Sequence, residues 1–126
     1  MRAQYHFRPS PKCLYAWDVR KLVQLSMKLP VTRFPLNKIA EIDEMWWFTG
    51  AEEQPTPRTI AEHIKLSRAA NLRYPIILCA DGRLMDGMHR CLKAMVQGRS
   101  DIATRRFSVT PPPDYTDVQP DDLPYD

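Results

Sequence analysis

Between Tyr74 and Gly98 the chain leaves room for very few backbone arrangements. Pro75-Ile76-Ile77-Leu78-Cys79 is a nearly continuous apolar run, the pattern of a strand buried on both faces. Asp81-Gly82 is a tight hairpin signal, and Arg83-Leu84-Met85-Asp86 returns as a second strand. Gly87 breaks that strand. His89 to Gln97 then reads as a helix with Leu92, Met95 and Val96 inward, terminated by Gly98.

The turn Asp86-Gly87-Met88-His89-Arg90 is the candidate site. A strand that enters a helix through glycine exposes backbone N–H groups at the helix N-terminus, where the donors and the helix dipole favour an anion. Gly87 allows close backbone approach. Arg90 offers a two-pronged donor to phosphate oxygens. His89 can donate to an oxyanion or exchange a proton near neutral pH. Asp86 can hold Arg90 or His89 in place, bind a metal ion, or accept a substrate proton. The same five residues also admit a purely structural reading: Gly87 a turn, His89 a satisfied surface histidine, Arg90 an ion-pair partner of Asp86.

Elsewhere the pattern is less sharp. Residues 1–16, with Pro9 and Pro11 and no clear period, read as an irregular arm packed through Tyr5, Phe7 and Tyr15. Asp18 to Leu29 reads as a helix, capped by Asp18 and stopped by Pro30, with Val19, Leu22, Val23 and Met27 on one face. Val31 to Pro35 is an edge-like strand. Leu36 to Phe48 is a short helix or turn ending in Trp46-Trp47-Phe48, and a loop marked by Gly50, Glu52, Glu53 and Pro55 follows. Thr56-Pro57 is a helix start, with Ile60, His63/Ile64 and Ser67 on one face as far as about Asn71. Ile102 to Val109 is a last strand. Adjacent Trp46 and Trp47 point about 100° apart in a helix, so one suits the core and the other a base or partner. A lone helical histidine such as His63 reads as structural. Three segments result: an arm and helix (1–30), an α/β domain (31–110) and an acidic, proline-rich tail (111–126). The tail's composition suits disorder, while Tyr115, Val118, Leu123 and Tyr125 suit docking on the body.

Charge divides along the chain. All 18 Lys and Arg lie in residues 1–110 against 10 Asp and Glu, a net of +8, while residues 111–126 carry five Asp and no base. A basic body fits an anionic partner or simply a solvated surface. No apolar stretch approaches the roughly 20 residues of a membrane span, and residues 1–8 lack an apolar signal core, so a cytoplasmic, membrane-free protein is expected. Cys13, Cys79 and Cys91 are widely spaced and form no CxxC pair, so reduced thiols and no metal site are expected.

The order Pro35-Leu36-Asn37-Lys38-Ile39, a helix from Thr56, Tyr74-Pro75-Ile76-Ile77, Asp81-Gly82, a strand, Gly87-x-x-Arg90-x-x-Ala94, a glycine and a last strand resembles the N-terminal domain of the ParB/sulfiredoxin superfamily. The likeness covers roughly residues 30–109 and is most specific over 74–98. The Asp-Gly-x-His-Arg form is similar to small single-domain ParB-like proteins and free-serine kinases. It implies a small mixed sheet flanked by helices, an α/β (α+β) fold, with a nucleotide phosphate (ATP/ADP or CTP with Mg²⁺) contacted by His89 and Arg90. Sulfiredoxins carry their catalytic cysteine where this chain has Met88, whose thioether cannot form the sulfur–phosphoryl bond, so that activity is not expected. Partition-type ParB proteins commonly have Glu-Arg or a related pair at Met88-His89. They also continue into helix-turn-helix and dimerisation domains for which these residues leave no room, so a partitioning role is not expected. The serine kinases need a carboxylate base. Glu41, Asp43, Glu44, Glu52 and Glu53 are the candidates, each also readable as a surface charge.

Three functions follow: a nucleotide- or phosphate-binding domain acting as a small-molecule phosphotransferase, a nucleic-acid-binding or nuclease-like domain, and a non-catalytic interaction module using Trp46/Trp47 and the tail, with a homodimer among its partner options.

Overall fold

The computed structural model describes residues 3–49 and 53–125; Gly50 and Glu52 lie outside them. Among the described residues, three α-helices and two sheets form the mixed α/β fold expected. In chain order these are β1 (Tyr5–Pro9), β2 (Leu14–Asp18), α1 (Val19–Ser26), β3 (Thr32–Pro35), α2 (Pro57–Ala69), β4 (Ile76–Leu78), β5 (Leu84–Asp86), α3 (Met88–Val96), β6 (Asp101–Arg106) and β7 (Tyr115–Val118). Single 3₁₀ turns occupy Leu36–Lys38, Ala40–Asp43 and Pro120–Asp122.

The larger sheet has the order β3-β6-β4-β5, with β4 parallel to β6 and the other pairs antiparallel. Its central strand β4 is buried on both faces, as its apolar run requires. Ile76 and Leu78 point to one side, where they pack with Leu84, Ile102 and the α3 residues Met88, Cys91 and Ala94. Ile77 points to the other, with Cys79, Met85, Phe107, Trp17 and Leu22. The hairpin turns at Gly82 (φ +81°).

Helix starts fall where the caps place them. The Asp18 carboxylate accepts from the Arg20 N–H, and the Thr56 hydroxyl accepts from the Thr59 N–H with Pro57 in the first turn. Inward faces differ from expectation. Met95 and Val96 are 43% and 79% exposed, and α3 buries Met88, Cys91 and Ala94 instead. Ile60 and Ile64 of α2 are also exposed, and the face turned inward carries His63 and the buried Ser67. Small Cys91 and Ala94 let α3 approach the sheet closely, which a Leu92/Val96 face would prevent.

The irregular arm expected for residues 1–16 is instead a regular hairpin. β1 pairs with β2 from Tyr5↔Asp18 to Pro9↔Leu14, and β7 pairs with the other edge of β2. The prolines fit because Pro9 ends its strand and Pro11 lies in the connection. Residues 111–125 are ordered against this sheet. Asp114 accepts from the Asp18 N–H (2.8 Å), the Trp17 indole donates to the Pro111 carbonyl (2.9 Å), and Tyr5 donates to the Pro124 carbonyl. Asp117, at φ 57°, accepts from the Ser10 hydroxyl and the Lys12 N–H. Two carboxylates of the acidic tail are thus structural acceptors. Among the described residues no helix is long and apolar enough to cross a membrane.

Candidate functional site

Gly87 is fixed by its surroundings. It caps α3 at φ +112°, and a Cβ there would lie 2.6 Å from Ile76 Cγ2 and 3.0 Å from Arg90 Nη2. Only glycine fits both the left-handed backbone and the contact. Its carbonyl accepts from the N–H groups of Arg90 and Cys91, starting the helix. The N–H groups of Met88 and His89 precede that ladder and have no acceptor within α3, and the first turn contains no acidic residue. Among the described residues neither N–H has another hydrogen-bond acceptor, so the helix presents two open donors and the positive end of its dipole.

Arg90 braces this turn. Nη1 donates to the carbonyls of Tyr74 (3.0 Å) and Pro75 (2.9 Å), and Nη2 donates to Asp86 Oδ2 (2.9 Å). Three of its five N–H groups thus hold β4 and β5 together, which leaves Nε–H and one Nη2–H for a ligand. Asp86 orients Arg90, one of the roles open to it from the sequence. Met88 is buried in the core beside the turn and also borders the cavity at the turn. Cys91, on the sheet side of α3, is fully buried, and burial pushes its thiol up to about 12. It is not a nucleophile.

His89 points toward α2. Its Nε2 lies 2.9 Å from Nδ1 of His63, and Nε2 of His63 lies 2.7 Å from Glu53 Oε1. Trp47 stacks over both imidazoles, with centroids 3.9 Å from His63 (17° between planes) and 4.6 Å from His89 (22°), and Phe48 meets His63 edge-on. His89 has its pKa lowered, first by burial and then by His63, against a smaller opposing effect of Glu53. His63, read from the sequence as structural, is thus the link between a carboxylate and the motif histidine. Its spacing from His89 gives no local signal, because the contact crosses two helices.

The remaining carboxylate candidates separate. Glu41 is buried. It accepts from the Leu84 N–H (3.2 Å), while the Arg83 guanidinium lies 3.0 Å from its other oxygen as an ion pair without hydrogen-bond alignment. Glu44 also meets Arg83, and Asp43 is exposed in a 3₁₀ turn. Among the described candidates, only Glu53 joins the site. Trp46 stacks on His6 and not on the histidine pair, and both border the same cavity as that pair.

The turn and the His89 ring line an open cavity of about 780 Å³, whose wall also includes Trp47, Leu66, Asn71, Tyr74 and Tyr5. Tyr74 is 66% exposed at its rim and offers a flat aromatic face that the sequence did not single out. Asp86, the carboxylate in that wall, is already paired with Arg90, and no cluster of three His, Cys, Asp or Glu suited to a metal occurs among the described residues. A Mg²⁺ ion fits here only as part of a nucleotide complex, held chiefly by phosphate oxygens and water. No protein-family model, curated protein or solved structure matches this chain.

Proposed function

We propose that this chain is a nucleotide-phosphate-binding domain of the ParB/sulfiredoxin type that serves a small-molecule phosphotransferase reaction. The observation that carries the reading is the α3 N-terminus. Free N–H groups of Met88 and His89, a glycine held at φ +112° and the remaining donors of Arg90 converge on one wall of a cavity large enough for a nucleotide. Tyr74, Trp47 and Leu66 supply an aromatic and apolar wall for a base, while the helix end takes the phosphate.

The nucleic-acid alternative draws on the net +8 of residues 1–110. Much of that charge is committed internally. Arg90, Lys93, Arg105 and Arg106 donate to backbone carbonyls, and Arg20, Arg33 and Arg83 pair with carboxylates. These guanidinium and ammonium groups brace the fold rather than form a free basic stripe.

Calorimetry and thermal shift with ATP, ADP and CTP, each with Mg²⁺, and with inorganic phosphate test the reading. A ligand held at 100 times its Kd adds about 2.7 kcal/mol to stability. A folded chain that none of these ligands stabilises rules the reading out.

A further inference from the structure

A second feature of the same cavity says what the site does with a bound phosphate. Glu53, His63 and His89 form one hydrogen-bonded line from a partly exposed carboxylate to the cavity. The donors and acceptors fall in only one consistent order when Glu53 is ionised and both rings are neutral. The carboxylate can only accept, so His63 carries its proton on Nε2. Nδ1 of His63 then holds a lone pair, so His89 must carry its proton on Nε2. That leaves a lone pair on Nδ1 of His89. Among the described residues this nitrogen has no hydrogen-bond partner, and His89 lines the cavity.

The surroundings favour this arrangement. Trp47 roofs both imidazoles and Phe48 closes the edge of His63, which keeps water from competing for the inner hydrogen bonds. Asp86 is neutralised by Arg90, so the other charged groups at the turn form a closed pair. We propose that Glu53, His63 and His89 are a proton relay that makes Nδ1 of His89 the general base for a hydroxyl-bearing acceptor seated at the α3 N-terminus.

The proposal takes its phosphoryl donor, a nucleoside triphosphate, from the phosphate-binding reading above. As the acceptor oxygen bonds to the γ-phosphorus, its O–H proton moves to Nδ1 of His89. The bond from that phosphorus to the bridging oxygen breaks, and the nucleoside diphosphate leaves with the electron pair. The Nε2 proton of His89 passes to Nδ1 of His63, and the resulting imidazolium sits 2.7 Å from the Glu53 carboxylate. After release, that proton returns to His89 and Nδ1 yields its own to water in the open cavity. His89 is the catalytic residue, and His63 and Glu53 act through it.

Nitrogen NMR of the full chain with labelled histidine tests the relay without any nucleotide. The chain has three histidines, so His6→Gln and His63→Gln together assign the spectrum. Expected are neutral His63 and His89, both protonated on Nε2, with two imidazole N–H protons shifted downfield and protected from exchange. His63→Gln can accept from His89 and donate to Glu53, so it keeps the His89 tautomer. His63→Leu loses the protected protons and leaves His89 a mixture of tautomers. Diethyl pyrocarbonate should modify His89 at Nδ1, and inorganic phosphate should slow that modification. A charged His89, a proton on its Nδ1, or a spectrum unchanged by His63→Leu overturns the relay even where phosphate binds. The predicted tautomers without protection by phosphate uphold the base and remove the phosphate reading instead.

Discussion

Nδ1 of His63 and Nε2 of His89 lie 2.9 Å apart across the seam between α2 and α3. That distance depends on how the two helices are locked together. Lys93, one turn beyond His89, donates to the carbonyls of Arg68 (3.1 Å) and Ala70 (2.6 Å), satisfying acceptors that the C-terminus of α2 leaves open. Lys93→Met keeps the stem and removes the donors. It should destabilise the chain by about 1.5–3 kcal/mol in urea denaturation, the range for hydrogen bonds to a charged group. An unchanged midpoint would show that the seam holds without it.

Gly87→Ala tests the turn itself. The new Cβ meets Ile76 Cγ2 at 2.6 Å while the backbone stays at φ +112°. Strain and overlap together should cost roughly 2–4 kcal/mol. Gly98→Ala serves as the control. It also has positive φ (+74°) but nothing within 4 Å of the added Cβ, so its loss should be smaller. Equal losses at the two positions would refute the packing explanation for Gly87.

How much of this was legible in the sequence depended on how local each signal was. The Asp81-Gly82 hairpin, the Thr56-Pro57 start and the Gly87 turn are set by a few adjacent residues, and all three stand where the sequence places them. The β1–β2 hairpin was hidden because its connection, Ser10 to Cys13, has no glycine and two prolines flank or enter it. β7 was hidden because it pairs with a strand about 100 residues earlier, and such pairing leaves no periodic trace. The inward face of α3 departs from its apolar pattern because the helix begins at Met88, and Met88, Cys91 and Ala94 share the row that meets the sheet. The Glu53–His63–His89 line depends on packing between two helices and a loop, so the sequence showed only its separate members.

Acid should weaken this fold through His6. The ring is buried between Trp17 and Trp46 and accepts from Arg8 Nε. Burial, with Arg8 and Arg83 nearby, lowers its pKa to about 3 from an ordinary 6.5. Below about pH 6.5 the unfolded chain binds this proton and the folded chain refuses it. Stability is thus fully present above that pH and falls as pH drops toward 3. His89, also lowered by burial, acts in the same direction. Denaturation across this range should show a shallower loss for His6→Gln than for the native chain; parallel curves would mean that His6 does not carry the effect.

Duplex DNA provides a negative expectation. With Arg90, Lys93, Arg105 and Arg106 donating to carbonyls, any electrophoretic shift seen at low salt should vanish by about 0.2 M salt. A complex that persists beyond that concentration would restore the nucleic-acid function.

Amide NMR during titration with ADP, and separately with inorganic phosphate, asks most directly whether the α3 N-terminus is an anion site. The expected result is a saturable shift largest at the N–H groups of Met88 and His89, with smaller changes at Tyr74 and Trp47. Saturation without movement at residues 87–90, or no saturable change anywhere, would contradict the phosphate site.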